Sequence, residues 1–203
     1  MKRTICAVAV MGLAAGFAFA DAPKTKKAEA GKGGGDTAAM MAAFEKAATP
    51  GENHKFLQAF VGTWSVTMKA FMEPGKPPVE STGTSEVKLI LGGRYVQEHV
   101  VSTFMGKPIE GQGVTGYDNT KKQFVGSWVD SMGTGIMTST GTVDATGKVF
   151  TSTGLESDAM TGKDKTTKMI DKVESDKKRT SEFWAKGPDG KEMKTMELTY
   201  TRK

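Results

Sequence analysis

Residues 62–72, GTWSVTMKAFM, decide the fold class of this chain. In this stretch the apolar residues Trp64, Val66 and Met68 alternate with polar residues. An alternation with a period of two is typical of a β-strand that buries one face. The stretch therefore predicts a strand whose face carrying Trp64 and Met68 lies inside the protein.

The same period of two continues to the end of the sequence. Nine further strand-like runs are separated by short segments rich in Gly, Pro, Asn and Asp, which favour turns. Because no helical pattern separates the runs, they predict an all-β, antiparallel meander. About ten strands in sequence order favour an up-and-down barrel, because closure leaves no exposed edge strand. The nine runs cover about residues 79–91, 94–104, 110–117, 123–130, 136–143, 148–155, 165–174, 178–186 and 191–202.

The segment before residue 62 has a helical pattern instead. Apolar residues recur every three or four positions from Met40 to Ala48, after Asp36, a residue type that caps helices. A second short helix is predicted just before the first strand. Residues 36–61 are therefore predicted to be N-terminal helices, and residues 62–203 a single β-barrel domain.

The first 35 residues predict export. Residues 1–20 have a positively charged start and an uncharged run, and they end in Ala18-Phe19-Ala20, the small-x-small pattern of a signal-peptide cleavage site. The uncharged run is shorter than the roughly 18 residues expected of a membrane-spanning helix. Residues 21–35, rich in Lys, Ala and Gly, predict a disordered linker. We expect an exported protein, periplasmic or secreted, that is cleaved after Ala20.

The composition excludes several kinds of site and partner. The 203 residues include one Cys, which lies in the predicted signal peptide, and two His, too few for a His-only zinc site. No metal and no cofactor is therefore predicted. The net charge of +5 does not indicate nucleic-acid binding, because Lys is interleaved with Glu and Asp. Lysines on both faces of the run 165–174 argue against a membrane-spanning barrel, since a charge on the lipid face costs about 2–4 kcal/mol at the midplane.

The glycines of residues 111–116, GQGVTG, match the spacing of a dinucleotide-binding loop. That loop requires a helix directly after it, and here the strand pattern continues. Glycines in a barrel strand more often allow a bend or the close approach of a ligand. No dinucleotide site is therefore predicted.

Gly62-Thr63-Trp64 and Arg202 resemble the lipocalin and fatty-acid-binding superfamily, in which Gly-x-Trp opens the first strand and a basic residue closes the last. The resemblance implies that Trp64 plugs one end of the barrel. It also implies that Arg202 lies over the face of Trp64 and bonds to nearby carbonyl groups. Gly62, Trp64 and Arg202 are therefore expected to close the barrel.

A wider set of motifs extends from about His54 to Lys203, which is most of the chain. The motifs are His54-Lys55-x-Leu57, Gly62-Thr63-Trp64, Gly92-Gly93-Arg94, Gly116-Tyr117-Asp118-Asn119, Trp128-x-Asp130-Ser131 and Tyr200-Thr201-Arg202. Together they resemble a bacterial domain-of-unknown-function family, number fifteen-seventy-nine, of exported β-rich proteins. The resemblance implies a lipocalin-like barrel and supplies no catalytic residues.

The leading functional hypothesis is a barrel that binds a small, largely apolar molecule. Roughly eight strands already enclose room for one small ligand, so about ten should leave a larger cavity. The face assignments after the first strand stay open, because a register slip of one residue reverses them. The side chains predicted to line the cavity are Met68, Met72, Phe124 and Trp128, and the polar groups predicted to orient the ligand are Tyr95, His99 and Asp130.

Two alternatives also involve His99. In a haem-binding, nitrobindin-like barrel, His99 would face the cavity as the ligand of the iron. In a small periplasmic enzyme, Asp130 and His99 would act as acid and base. The polar neighbours of His99 favour a solvated histidine, and Asp130-Ser131 is typical of turn capping, so ligand binding without catalysis is the preferred hypothesis.

Overall fold

The computed structural model describes residues 33–159, 161–187 and 190–203. The predicted signal peptide, residues 1–20, and the predicted linker as far as residue 32 lie outside the described residues. Helix α1 (Gly33–Ala48) begins three residues before the predicted start, so that Asp36 lies in its first turn. Helix α2 (Glu52–Phe56) and a 3₁₀ helix (Leu57–Phe60) follow.

Ten β-strands follow the helices, close to the predicted bounds. The first strand ends at Ala70, before Met72, and the fourth begins at Lys107, three residues earlier than predicted. The strands are β1 (Gly62–Ala70), β2 (Val79–Ile90), β3 (Tyr95–Phe104), β4 (Lys107–Asp118), β5 (Gln123–Asp130), β6 (Met137–Val143), β7 (Val149–Ser157), β8 (Asp164–Ser175), β9 (Lys178–Lys186) and β10 (Glu192–Arg202).

The strands form one closed antiparallel barrel. Each strand pairs with its neighbours in sequence, and β1 also pairs with β10, from Trp64 opposite Arg202 to Ala70 opposite Met196. Register shifts occur in β8 between Val173 and Ser175, and in β10 between Lys194 and Met196. The predicted fold class, an all-β up-and-down barrel of about ten strands, is confirmed.

The strand register shows which residues face the inside of the barrel, which we call the lumen. Residues directly opposite each other on neighbouring strands share a face. Trp64 is 1% exposed and lies opposite Ser85, which in turn lies opposite Val100. Val100 lies opposite Gly111, and Gly111 lies opposite Asp130. All five therefore belong to the inner face, and alternation along each strand assigns the remaining residues.

The end of the barrel near residues 52–60, here called the helix end, is closed by a packed core. Phe56 contacts Phe60, Phe124 and Phe150, with ring centroids 5.2–6.2 Å apart. Leu57 is buried in the same cluster. The buried residues of this core are Leu57, Trp64, Val66, Val87, Val96, Phe124 and Tyr200.

The opposite end, here called the loop end, carries exposed apolar side chains. Met72 is 58% exposed in the connection from β1 to β2. Met105, Met132 and Ile136 are exposed in two other connections at the same end. The helix end is therefore sealed by large side chains, and the rim of the loop end exposes apolar side chains to water. Leu91, between β2 and β3, and α1 also expose apolar side chains on the outside of the helix end.

Helix α1 lies on the outside of the helix end. Its residues from Asp36 to Ala48 are exposed, and barrel side chains hold its last turn. Arg94 Nε donates to the carbonyl of Ala48 (3.0 Å), and Asn119 Nδ2 donates to the carbonyls of Ala47 (3.0 Å) and Thr49 (2.8 Å). In the described part of the chain, no helix is long and apolar enough to cross a membrane.

Candidate functional site

Trp64 and Arg202 close the barrel at the helix end. Trp64 Nε1 donates to the carbonyl of Phe60 (2.9 Å), and the guanidinium carbon of Arg202 lies 4.2 Å from the centroid of the Trp64 ring. Arg202 also donates to the carbonyls of Val61 (2.7 Å) and Asp176 (2.5 Å). Gly62 has φ +135°, and a Cβ there would collide with the Arg202 guanidinium. This is the arrangement that the sequence analysis expects for these three residues.

The inner face of the barrel carries many small residues. Small side chains leave space in a barrel that larger ones would fill. Glycines also let large neighbours lie flat against the wall, as Trp128 does over Gly111 and Gly113. The inward-facing Gly, Ser and Thr residues of β2–β9 are Ser81, Gly83, Ser85, Ser102, Gly111, Gly113, Thr115, Gly126, Ser139, Gly141, Ser152, Gly154, Thr167 and Ser181.

Several apolar side chains on the inner face are only half-buried. Met68 and Leu198 lie opposite each other in β1 and β10, and Trp128 lies on the inner face of β5. Because these side chains point into the barrel, their accessible surface faces the lumen. Phe183 and Met196, also opposite each other, have the same partial exposure. The lumen thus presents apolar surface that the fold itself does not cover.

A group of polar side chains, here called the lumen cluster, crosses the barrel below the closed end. Arg179 on β9, 3% exposed, donates to Glu98 on β3 (3.0 Å), and Ser85 donates to the same carboxylate (2.6 Å). The guanidinium carbon of Arg179 lies 3.4 Å from the centroid of the Tyr200 ring. Arg179 is therefore held on one side by an ion pair and on the other by a cation–π contact.

Asp171 on β8 is the second carboxylate of the lumen cluster. Its hydrogen-bond partner is the hydroxyl of Ser181, which lies opposite it on β9. Burial raises the pKa of Asp171 to about 6, although the Ser181 hydrogen bond and the charge of Arg179 oppose that rise. Burial also raises the pKa of Tyr200, so its hydroxyl stays neutral. The lumen cluster thus contains two carboxylates and one guanidinium.

Four of the seven predicted ligand-binding residues lie on the inner face, but not as one site. Phe124, 2% exposed, is part of the core at the helix end, whereas Met68 and Trp128 are half-buried in the lumen. Asp130 ends β5 on the loop-end side. It accepts hydrogen bonds from Trp128 Nε1 (2.9 Å) and from the backbone N–H of Met132 (2.9 Å), so it stabilises a side chain and a turn.

The structure places the other three predicted residues outside the lumen. Tyr95 and His99 lie on the outer face of β3, because Val96 and Val100 take the inward positions. The Tyr95 ring covers Gly116, and Met72 lies beyond the end of β1. The sequence analysis assigned all three to the cavity wall, and for β3 it reversed the two faces.

The outward position of His99 bears on both alternatives of the sequence analysis. His99 Nε2 lies 2.8 Å from Glu110 Oε1 on the barrel exterior, where the His99 side chain is 40% exposed. It does not face the lumen, where a haem would lie, and Asp130 lies on the opposite face of the wall. Within the described ranges, no three His, Cys, Asp or Glu residues are grouped so as to hold a metal ion.

His54 is part of the segment that closes the barrel. It is 6% exposed, its Nδ1 accepts the backbone N–H of Gly51 (3.0 Å), and its ring meets the edge of Tyr117 at 5.8 Å. Burial lowers the pKa of His54, so the ring is neutral at pH 7. This histidine therefore caps α2 and packs against β4.

The sequence analysis missed the lumen cluster. A signal for it exists in the alternation along two strands. Glu98 lies two residues from both Val96 and Val100, and Asp171 lies two residues from Met169, so each carboxylate is on the same face of its strand as these apolar residues. A charged residue on the apolar face of a strand indicates a buried polar contact. The partners of these residues lie on other strands, and only the barrel brings them together.

Three solved structures are similar to this chain to different degrees. Rv2717c from M. tuberculosis superposes with a TM-score of 0.58 at 12% identity, over 76% of this chain and 99% of that chain. A redesigned β-barrel, b11L5F_LGL, gives a TM-score of 0.39 at 14% identity, over 72% of this chain and 94% of that chain. A de novo designed fluorescence-activating β-barrel gives a TM-score of 0.39 at 17% identity, over 72% of this chain and 96% of that chain.

The likeness to Rv2717c supports the barrel fold alone. The comparison with curated proteins gave no match. A family model described as "Protein of unknown function (DUF1579)" matches residues 49–202, which include the whole barrel up to Arg202 and the segment that closes the helix end. The chain therefore belongs to the DUF1579 family.

Proposed function

We propose that this protein binds a small, largely apolar molecule in the lumen of its barrel. The observation that carries the proposal is the half-buried state of Met68, Trp128 and Leu198 on the inner face. Apolar surface that remains wet inside a folded barrel gains free energy when a ligand covers it, at roughly 25 cal/mol per Å². The small residues of β2–β9 supply the space.

The ligand enters, in this proposal, at the loop end. The helix end is closed by Phe56, Leu57 and Trp64, and opening it would expose the buried hydrophobic core of the protein. At the loop end the connections between strands expose Met72 and Met132, which an apolar molecule can contact before it enters. We also propose that the protein acts after export, on the pattern of residues 1–20.

Binding of N-phenyl-1-naphthylamine, an uncharged apolar probe, tests the proposal. Calorimetric titrations at several temperatures should show a negative heat-capacity change, because apolar surface is buried. Trp128→Ala should weaken binding about tenfold, which corresponds to about 1.4 kcal/mol. Trp184→Ala is the matched control, since Trp184 lies on the outer face of β9 and its Nε1 donates to Glu182.

The result that would overturn the proposal is the absence of probe binding, or equal weakening by the two Trp substitutions. Haem serves as a second ligand in the same experiment. Because His99 faces outward, His99→Ala should leave the Soret band of added haem unchanged. A Soret shift that depends on His99 would instead support a haem-binding function.

A further inference from the structure

We propose that the lumen selects amphiphilic ligands that carry a protonated amine, which pairs with Asp171, over ligands that carry a carboxylate. The inference rests on the proposed function and names its ligand class. It follows from the charges of the lumen cluster, the free hydrogen-bonding capacity of Asp171, and the apolar side chains beside it.

The lumen cluster has one carboxylate more than it has cations. Arg179 is already bound to Glu98 and stacked on Tyr200. Within the described ranges, no Lys or Arg nitrogen forms an ion pair with Asp171. A ligand that brings a positive charge to Asp171 therefore completes the pairing, because a buried charge is stable only when it is paired and hydrogen-bonded.

Asp171 has acceptor positions left for a ligand. A carboxylate can accept about four hydrogen bonds through its two oxygens. Asp171 accepts one from the Ser181 hydroxyl, and it remains half-buried on the inner face of β8. An ammonium group donates up to three hydrogen bonds, so one such group can reach Asp171 and neighbouring hydroxyl groups together.

The surroundings of Asp171 suit the apolar part of such a ligand. Phe150, opposite Asp171 on β7, packs against Phe56 and Phe124 in the core at the helix end, whereas Leu198, opposite Ser181 on β10, is half-buried in the lumen. Met68, which lies opposite Leu198, continues the apolar surface into β1. An alkyl chain attached to the amine can therefore lie along these side chains.

A carboxylate ligand finds no comparable partner in the cluster. It would add a third negative charge to those of Glu98 and Asp171, and like charges at close range repel each other. Arg179, the one cation of the cluster, is 3% exposed; its Nε has no hydrogen-bond partner, but that atom has almost no accessible surface for a ligand carboxylate to reach. The same geometry that attracts an amine therefore disfavours a fatty acid.

The pairing should also depend on pH. The titratable and polar groups that act on Asp171 from other strands are Glu98, Arg179, Tyr200 and the hydroxyl of Ser181. Of these, Arg179 and Tyr200 keep their charge states near pH 6, because their pKa values are raised from already high ordinary values. Since the pKa of Asp171 is about 6, amine binding should weaken as the pH falls below about 6.

The test compares three probes with the same chain of twelve carbons: dodecylamine, dodecanol and dodecanoate, each below its micelle concentration. Their affinities are measured at pH 7.5 by displacement of N-phenyl-1-naphthylamine. Dodecylamine should bind at least tenfold more tightly than dodecanoate. Asp171→Asn should weaken dodecylamine about tenfold and leave dodecanol within twofold, whereas Asp164→Asn, an outward residue of the same strand, should change neither.

The outcomes separate this inference from the proposed function. If dodecanol binds but dodecylamine has no advantage over dodecanoate, or if Asp171→Asn does not reduce that advantage, the inference is overturned and lumen binding stands. If no probe binds, the proposed function fails. If the Asp171→Asn protein does not fold, Ser181→Ala is the second variant, because it retains the Asp171 carboxylate. A folded Ser181→Ala protein should still prefer dodecylamine to dodecanoate. Loss of that preference would contradict the inference.

Discussion

Arg202 illustrates how a single side chain holds the two ends of the barrel sequence together. It lies on the last strand, covers the ring of Trp64 on the first strand, and donates to the carbonyl of Val61 just before that strand. Both contacts act across the seam between β1 and β10. The side chain therefore stabilises closure of the barrel as well as local packing.

Substituting Arg202→Ala should lower the free energy of unfolding by about 1–3 kcal/mol, because one cation–π contact and two hydrogen bonds are lost. Chemical denaturation measures the change. Lys203→Ala is the matched control, since Lys203 is exposed, and it should stay within about 0.5 kcal/mol. An Arg202→Ala protein as stable as the control would mean that this contact does not stabilise closure.

Unlike Arg202, the charged residues of the lumen cluster are not expected to add much to the free energy of unfolding. Pairing Arg179 with Glu98 inside the barrel offsets the cost of removing both from water, but a buried ion pair is often no more stabilising than apolar residues of similar size. Among the described residues, no Lys or Arg forms an ion pair with Asp171. Stability alone therefore explains these residues poorly, whereas the proposed amine ligand would give Asp171 a cation.

At the scale of elements, the segment of residues 52–60 acts as a plug. Phe56, in α2, and Leu57, in the 3₁₀ helix, pack in the core. His54 Nδ1 accepts the backbone N–H of Gly51 and so caps the start of α2. By contrast, α1 is exposed along its length and is held at its last turn by Arg94 and Asn119. The barrel thus depends on the second helical segment far more than on the first.

Substituting Leu57→Ala should destabilise the protein by about 2–5 kcal/mol, the usual range for a large-to-small change at a buried site. Leu57 is 2% exposed, whereas its neighbour Gln58 is exposed, so Gln58→Ala is the control. Thermal unfolding followed by circular dichroism compares the two. Equal melting temperatures would show that the plug does not contribute to the stability of the barrel.

At the scale of the whole molecule, we expect the chain to be exported and processed before it acts. The pattern of residues 1–20 predicts removal of a signal peptide after Ala20. The intact mass of protein recovered from outside the cytoplasm should then correspond to residues 21–203. A mass that includes residues 1–20, or one that begins at another residue, would contradict the predicted site.

How well each feature could be predicted depends on how far apart in the sequence the interacting residues lie. The ten strands, their turns and the closed barrel were predictable, because alternation and turn residues are local patterns and one-sided strands must cover their edges. The cavity residues were only partly predictable. Met68 was assigned correctly to the inner face from the alternation around Trp64, whereas Tyr95 and His99 were assigned to the wrong face of β3.

By itself, the sequence determined the strand pattern and the class of fold, and its resemblance to the lipocalin superfamily implied the pairing of Trp64 with Arg202. The tertiary structure alone decided which polar residues meet inside. Glu98, Asp171 and Arg179 lie on β3, β8 and β9, far apart in sequence, and they converge only when register and closure are set together. Register depends on all pairs along a strand at once, and a shift of one residue would turn each of these charges outward.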